Sequence, residues 1–262
     1  MYRQQCVVIS NKKLAPGHFV MRLRSEEISR AARPGQFVQI LCTDSFKPLL
    51  PRPFSFLTTG GDTFSILYQV VGEGTKHLSE SKKDARLTVL GPLGNGFSLD
   101  APSDSLTLVG GGVGIPPLYH LSQWLVKKTQ AKNIHVFLGA RNKSLLLCQS
   151  DFKKLKVNLT VTTDDGSAGQ KGVVTKALED FFKNKKKSIS VYTCGPAPML
   201  KAVAALSRGY QIPYEVSVEE PMACGFGVCL GCAVRVKDTK DGRYAMACTE
   251  GPVFQGDKLL WK

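Results

Sequence analysis

Histidine is scarce in this chain. Among 262 residues there are four, His18, His77, His120 and His135, and none stands in a ligand-like pair. No Ser-His-Asp or Cys-His constellation is apparent, which removes the usual nucleophilic hydrolases from consideration, and surface or packing roles suit all four. Acidic side chains are also few: 21 Asp plus Glu face 35 Lys plus Arg, a formal charge of +14. The basic excess is dispersed, and its densest stretch, "KNKKK" at residues 183–187, reads as a solvated helix end or loop. Without a helix-turn-helix, zinc-finger or RRM pattern, that charge does not imply nucleic acid. No apolar run approaches the roughly eighteen residues of a membrane helix. The opening "MYRQQCVVISNKKL" lacks the long apolar stretch and cleavage site of a secretory signal, so a cytoplasmic protein with no membrane partner is expected. Repeats and low-complexity tracts are absent too.

What the chain does contain falls into three parts. Over residues 1–100, "QCVVIS", "HFVMRLRS", "QFVQILC", "FSFLTT", "TFSILYQVV" and "RLTVLGP" are short apolar or period-two segments separated by Gly, Pro and Asp. Close spacing and almost no helix signal beyond "GTKHLSES" predict a small closed antiparallel barrel. Over residues 101–215 the pattern changes to strand, turn, helix, as in "SLTLVGGGVGIPPLYHLSQWLVKK" and "ISVYTCGPAPMLKAVAALSRG", which predicts an α/β domain with a parallel sheet. Regular patterning fades after Tyr214, and residues 216–262 form a small third unit. The expected fold is therefore multidomain α+β.

Half of the eight cysteines lie in that third unit. Cys224, Cys229 and Cys232 follow a C-x4-C-x2-C spacing within "ACGFGVCLGC", and Cys248 comes after fifteen intervening residues. Disulfides are unexpected in a reducing compartment. Structural zinc usually presents two short C-x2-C knuckles, whereas one compact three-cysteine loop with a single distant partner is the plant-type spacing of a [2Fe–2S] cluster. Gly225, Gly227 and Gly231 would free backbone N–H groups to point at sulfur and permit positive φ. Cys6, Cys42 and Cys148 read as core residues.

Two strand-to-helix turns suit a nucleotide. In "LVGGGVGIPPL", Gly110, Gly111, Gly112 and Gly114 would let a phosphate approach the backbone at a helix N-terminus. Pro116 and Pro117 replace the third small residue of the Rossmann fingerprint, and no acidic residue lies about twenty positions on, so a different dinucleotide fold is implied. In "YTCGPAPML", Cys194-Gly195-Pro196 ends a second strand, where Cys194 could face a cofactor. In the barrel region Arg52 could pair with a pyrophosphate, the Ser55 hydroxyl could reach a flavin ring edge, and Gly72, Gly74 and Thr75 form a turn suited to phosphate. Asp164 and Asp165 in "VTTDDGS" could accept from a free ribose 2′-OH and repel a 2′-phosphate, which favours NAD over NADP; simple turn formation is the other reading.

The order "RPFS", "GEGT", "GPLGNGF", "GGGVGIPP", "CGP" resembles the ferredoxin reductase family of flavoprotein NAD(P) enzymes. The C-terminal "EEPMACGFGVCLGCAVRV" and "YAMACTEGPVF" narrow this to a resemblance, over essentially the whole chain, to the electron-transfer subunits of type B dihydroorotate dehydrogenase. That resemblance implies FAD on Arg52, Pro53, Phe54 and Ser55, with Leu67, Tyr68 and Gln69 along the flavin or ribityl tail and Gly74 and Thr75 on the pyrophosphate. It implies NAD at Gly110, Gly111, Gly112, Gly114, Cys194, Gly195 and Pro196, and the cluster on Cys224, Cys229, Cys232 and Cys248. Ser55 and Cys194 are the candidate catalytic residues. Phe54 stands where the wider reductase family has Tyr, so a hydroxyl contact to the flavin is missing.

The chemistry would belong to the cofactors, making the chain a converter between two-electron and one-electron transfer. The resemblance further implies a partner subunit carrying FMN that oxidises dihydroorotate in pyrimidine biosynthesis, in a heterotetramer with two copies of each. The alternatives are the corresponding subunit of a sulfide dehydrogenase, sulfite reductase or hydrogenase complex, and a zinc-stapled adaptor. Cys224 argues against the first of these, whose subunits tend to carry Asp there; intact "RPFS" and "GEGT" argue against the adaptor.

Overall fold

The computed structural model describes residues 1–43, 45, 47–100, 103–184, 188–237 and 242–261. The expected boundary at residue 101 and the lysines at 185–187 lie outside the described residues.

Alternating side chains in the first part close into a six-stranded antiparallel barrel. Its strands are β1 (Tyr2–Ala15), β2 (His18–Arg24), β3 (Phe37–Ile40), β4 (Arg52–Gly60), β5 (Thr63–Gln69) and β6 (Arg86–Leu93), in the order β1-β2-β5-β4-β3-β6. Val8, Met21, Leu23, Ile40, Phe56, Ile66 and Val89 fill the interior. β3 shows how one strand serves two cores: Val38 and Ile40 point into the barrel. Phe37, one position out of phase, packs with Leu93 and with residues of the C-terminal segment.

Two helices belong to this part, α1 (Glu26–Ala31) and α2 (Glu73–Glu80). Only α2 was expected. α1 has six residues, too few for a helical period to stand out. Its signal is the cap: the Ser25 hydroxyl accepts from the Ile28 N–H at 3.2 Å, and Glu26 and Glu27 occupy the first turn.

The second part is a seven-stranded sheet. It contains β7 (Ser105–Gly111), β8 (Ile134–Ala140), β9 (Asn158–Thr163), β10 (Gln170–Lys171), β11 (Ile189–Cys194) and β12 (Tyr214–Ser217), all parallel. Helices α3 (Ile115–Leu125), α4 (Gln149–Lys154), α5 (Val174–Lys183) and α6 (Ala197–Gly209) connect them. Between β13 (Ala233–Val236) and β14 (Arg243–Met246) runs a separate antiparallel ladder. The last strand, β15 (Val253–Gln255), then returns to pair antiparallel with β12 and completes the order β10-β9-β8-β7-β11-β12-β15. The cluster segment is thus sewn onto the edge of the sheet. Strands of three or four residues leave no alternation to read, which is why patterning faded beyond Tyr214.

Barrel and sheet share a core. Leu57 and Leu67 pack in one cluster with Leu118 and Leu121 of α3. Across the same joint the Thr59 hydroxyl bonds His120 Nε2 at 2.9 Å. Among the described residues no helix is long and apolar enough to cross a membrane.

Candidate functional site

A cavity of about 530 Å3 opens where the three parts meet. Antiparallel pairing of β4 with β5 sets Arg52, Pro53, Phe54 and Ser55 beside Leu67, Tyr68 and Gln69, and all seven line it. Thr75 of α2 closes one end, and Val113, Gly114, Cys194 and Ser217 come from the carboxyl edge of β7, β11 and β12. That edge is where open α/β sheets bind ligands.

The wall made by Phe54 and Tyr68 is apolar. Their rings meet edge-on at 5.7 Å, and Tyr68 stacks on Phe19 at 5.7 Å while its hydroxyl donates to Asn11 Oδ1 at 3.0 Å. Burial pushes the Tyr68 phenol up to about 12, so it stays neutral. A planar aromatic ring fits against such a surface.

At the other end, charge and backbone polarity favour an anion. Arg52 Nη1 donates to the carbonyls of Leu50 at 2.7 Å and Pro51 at 3.3 Å, which orients the guanidinium. The chain passes close by at Gly74, where a β-carbon would lie 3.3 Å from Cys42 Sγ and 3.5 Å from Arg52 Nε. The Thr75 hydroxyl accepts from the N–H groups of Val71 at 2.9 Å and Gly72 at 3.2 Å, and donates to the Gly72 carbonyl at 3.0 Å. It is committed to building the turn, so its part in phosphate binding is to hold the N-terminus of α2 in shape.

The glycine turns differ from the sequence-based account, which gave all four glycines at the end of β7 and the turn after it to a phosphate. A β-carbon on Gly110 would meet Leu118 Cδ1 at 2.7 Å, and one on Gly114 would collide with the backbone of Cys194. On Gly195, with φ +157°, it would meet Met199 Cε at 2.5 Å. Gly114 and Gly195 are glycine because the two turns pack on each other, and Gly110 because Leu118 of α3 packs on it. Gly112, with φ +56° and nothing within 4 Å of a β-carbon, faces open space. Gly74, Gly110, Gly111, Gly112, Gly195 and Pro196 border the site without lining the cavity. Cys194 does line it; burial pushes its thiol up to about 12, so it presents a neutral, small surface and not a thiolate.

Asp164 and Asp165 sit on an exposed turn after β9, at the carboxyl edge but outside the cavity. Asp165 Oδ1 accepts from the Ser167 hydroxyl at 2.6 Å and the Ser167 N–H at 2.9 Å, which lowers its carboxyl pKa and keeps it ionised.

The third part brings four sulfurs to one end of the β13–β14 ladder. Register pairs Ala233 with Met246, and the Ala247 N–H donates to the Cys232 carbonyl at 3.0 Å, which sets Cys248, the next residue, beside Cys232; both are buried. The Cys248 N–H donates to Cys232 Sγ at 3.4 Å, and the Cys229 N–H to Cys224 Sγ at 3.5 Å. Desolvation raises the Cys224 thiol, but N–H groups of Cys229, Phe226 and Val228 outweigh it and bring it down to about 6. Burial, with the adjoining Cys232 and the charge of Cys224, pushes Cys248 up to about 12. Thiolates crowded in this way repel one another, and bound cations relieve that repulsion.

Loop geometry supports the same donor set. Gly225 and Gly227 have φ +82° and +89°; the third left-handed residue is Leu230 at +58°, not Gly231. Among the described residues no three His, Cys, Asp or Glu side chains are grouped as a single ion requires.

Sequence reasoning missed Phe37, Val113 and residues 217–222, all of which line the cavity. The one available signal was the polar, proline-containing "EEPM" at residues 219–222, just before Cys224. It marks a non-helical connector but not what that connector touches.

Comparison with known proteins finds two matching family models along the chain. A family model described as the iron–sulfur cluster binding domain of dihydroorotate dehydrogenase B matches residues 219–260, and one described as the oxidoreductase NAD-binding domain matches residues 108–205. The chain is 37% identical over 258 residues to the electron transfer subunit of dihydroorotate dehydrogenase B (NAD(+)) from Desulforamulus reducens, covering 97% of each chain. Against the same subunit from Caldanaerobacter subterraneus subsp. tengcongensis it is 38% identical, with 99% of each covered. Among solved structures, that of an NADH-dependent reduced ferredoxin-NADP oxidoreductase, studied for flavin-based electron bifurcation, superposes with TM-score 0.85 and 34% identity, over 98% of this chain and 90% of the other. The flavohem-like FAD/NAD-binding domain of a Vibrio cholerae nitric oxide dioxygenase shares the fold, at TM-score 0.68 and 16% identity, over 81% and 98%.

Proposed function

The chain belongs to the family of electron-transfer subunits of dihydroorotate dehydrogenase B, and from that premise we propose how its residues divide the work. It is an oxidoreductase subunit that uses FAD, a [2Fe–2S] cluster and NAD. Bound together, these groups supply hydride exchange with nicotinamide on one side and single-electron exchange on the other. Residues 1–100 hold the flavin, 101–215 the nicotinamide nucleotide and 216–262 the cluster.

Phe54 and Tyr68 form the apolar bed for the flavin ring, Ser55 offers its hydroxyl to a ring edge, and Arg52 with the Gly74–Thr75 turn takes the pyrophosphate. Gly112 admits a nucleotide phosphate to the N-terminus of α3, and Cys194 shapes the floor where nicotinamide meets flavin. Cys224, Cys229, Cys232 and Cys248 hold the irons.

The partner is a catalytic subunit that carries FMN and oxidises dihydroorotate to orotate, assembled as two copies of each. Electrons run from that FMN through the cluster and FAD to NAD. Supporting this, the cluster loop presents Phe226, Val228 and Leu230 to solvent at 47%, 72% and 63% exposure, an apolar rim of the kind that marks a protein contact.

One observation carries the reading: a single cavity is lined jointly by the barrel, by both nucleotide turns and by the connector that leads into Cys224. The test is co-purification with the catalytic subunit, followed by dihydroorotate-dependent NAD reduction. The isolated chain should show flavin bands with broad iron–sulfur absorption, one FAD and two irons. Colourless protein holding one zinc would overturn the reading, and a complex that reduces sulfur compounds but never yields orotate would overturn the substrate.

A further inference from the structure

Gln39 is a buried amide for which the fold offers no hydrogen-bond partner at either polar atom. It is 1% exposed, and neither Nε2 nor Oε1 has a hydrogen-bond partner among the described residues. Buried amides are almost always satisfied, so an unsatisfied one needs an explanation. Its position supplies one. Gln39 is on β3, two residues beyond Phe37, which lines the cavity, and period-two alternation puts both on the outer face of the barrel. There Gln39 runs into the cluster loop: a β-carbon on Gly225 would meet Gln39 Cγ at 2.6 Å and Nε2 at 3.1 Å. Gly225 directly follows Cys224. The left-handed φ at Gly225 and the absence of a side chain there let Gln39 reach the loop.

We infer that the Gln39 amide donates a hydrogen bond to the cluster on its Cys224 side and thereby raises the cluster's reduction potential. This rests on the functional reading above. The other donors to Cys224 sulfur all belong to the loop itself, its main-chain N–H groups and the Cys229 side chain; Gln39 would be a donor supplied by the flavin-binding barrel. A neutral amide suits the position. It stabilises the additional negative charge of the reduced cluster without placing a full charge in a dry environment. Because Phe37 and Gln39 share one face of one strand, the same element touches the flavin cavity and the cluster, so the spacing between the two sites is set by a rigid strand.

The test uses the full chain with FAD and cluster, as wild type and Gln39→Leu, which keeps bulk and removes the donor. In a potentiometric titration followed by electron paramagnetic resonance, Leu at this position should lower the cluster midpoint by about 59 mV, a tenfold change in the reduced-to-oxidised ratio for one electron, with the flavin midpoint unmoved. In wild type labelled with 15N in glutamine side chains, the reduced cluster should show a weak nitrogen hyperfine coupling that Gln39→Leu abolishes. If the variant fails to hold a cluster, the labelled wild type decides alone. A normal wild-type cluster signal without that coupling, or an unchanged midpoint, overturns the Gln39 assignment only. A wild type with no cluster signal overturns the functional reading beneath it.

Discussion

The backbone of Gly114 rests directly against the carbonyl group of Cys194, leaving no room for a β-carbon between them. The contact ties the turn after β7 to the turn after β11, whose strands pair in register with Cys194 opposite Gly110. It fixes both rims of the proposed nucleotide site as one unit.

Gly114→Ala should therefore act on the whole site. Overpacking against main chain costs about 1–3 kcal/mol, a Tm loss of roughly 2–10 °C in a chain of this size, and the KM for NADH should rise with it. Gly112→Ala meets nothing but its own left-handed strain of about 1–2 kcal/mol. Thermal melts beside dye-linked NADH oxidation separate the two; an Ala at 114 that melts like wild type contradicts the packing.

His120 makes stability sensitive to acid. Burial depresses its pKa to about 4, while an unfolded chain titrates near 6.5. The stability tied to keeping it neutral is complete above pH 6.5 and is lost as pH falls toward 4, because the unfolded chain binds the extra proton first. Between pH 7.5 and 5.5 the loss is about 1 kcal/mol. Urea denaturation of His120→Gln, compared with wild type at both values, should show that much less pH dependence.

Arg52 bears on flavin affinity. Hydrogen bonds to a charged group contribute about 1.5–3 kcal/mol, so Arg52→Ala should weaken FAD binding roughly 10- to 100-fold. Arg52→Lys should recover only part, because a point charge cannot reproduce the fork. Fluorescence titration of flavin-stripped protein measures both, and equal affinity in all three would remove Arg52 from the site.

The cluster cysteines should split two activities. Cys229 is exposed, so Cys229→Ser should leave NADH oxidation by dyes largely intact while transfer to the partner falls by more than the ~10- to 100-fold typical of losing a mere hydrogen-bond partner behind a ligand. Cys248 is buried beside Cys232, and Cys248→Ser should in addition lower the melting temperature. Parallel loss of both activities in the Cys229 variant would mean that the loop mainly supports the fold.

Much of this was legible because it is local. A C-x4-C-x2-C loop with interspersed glycines states its chemistry within ten residues, since metal ligation depends on residue type and short-range reach. Alternation in the first hundred residues and the strand–turn–helix units that follow are likewise properties of neighbouring residues. α1 escaped because its information is one serine cap, and β15 because three residues carry no period.

Local sequence thus determined the three kinds of element and the spacing of the four cysteines proposed to hold the irons. Tertiary structure decided which distant groups share a space. Phe37 joins Met222 in one cavity, Gln39 meets Gly225, and Gly110 and Gly114 answer to Leu118 and Cys194 more than to a phosphate. Those contacts depend on barrel closure, strand register and the return of β15 to the sheet, which arise from packing between segments far apart in the chain. No residue's own conformational preference encodes its partner across such a distance.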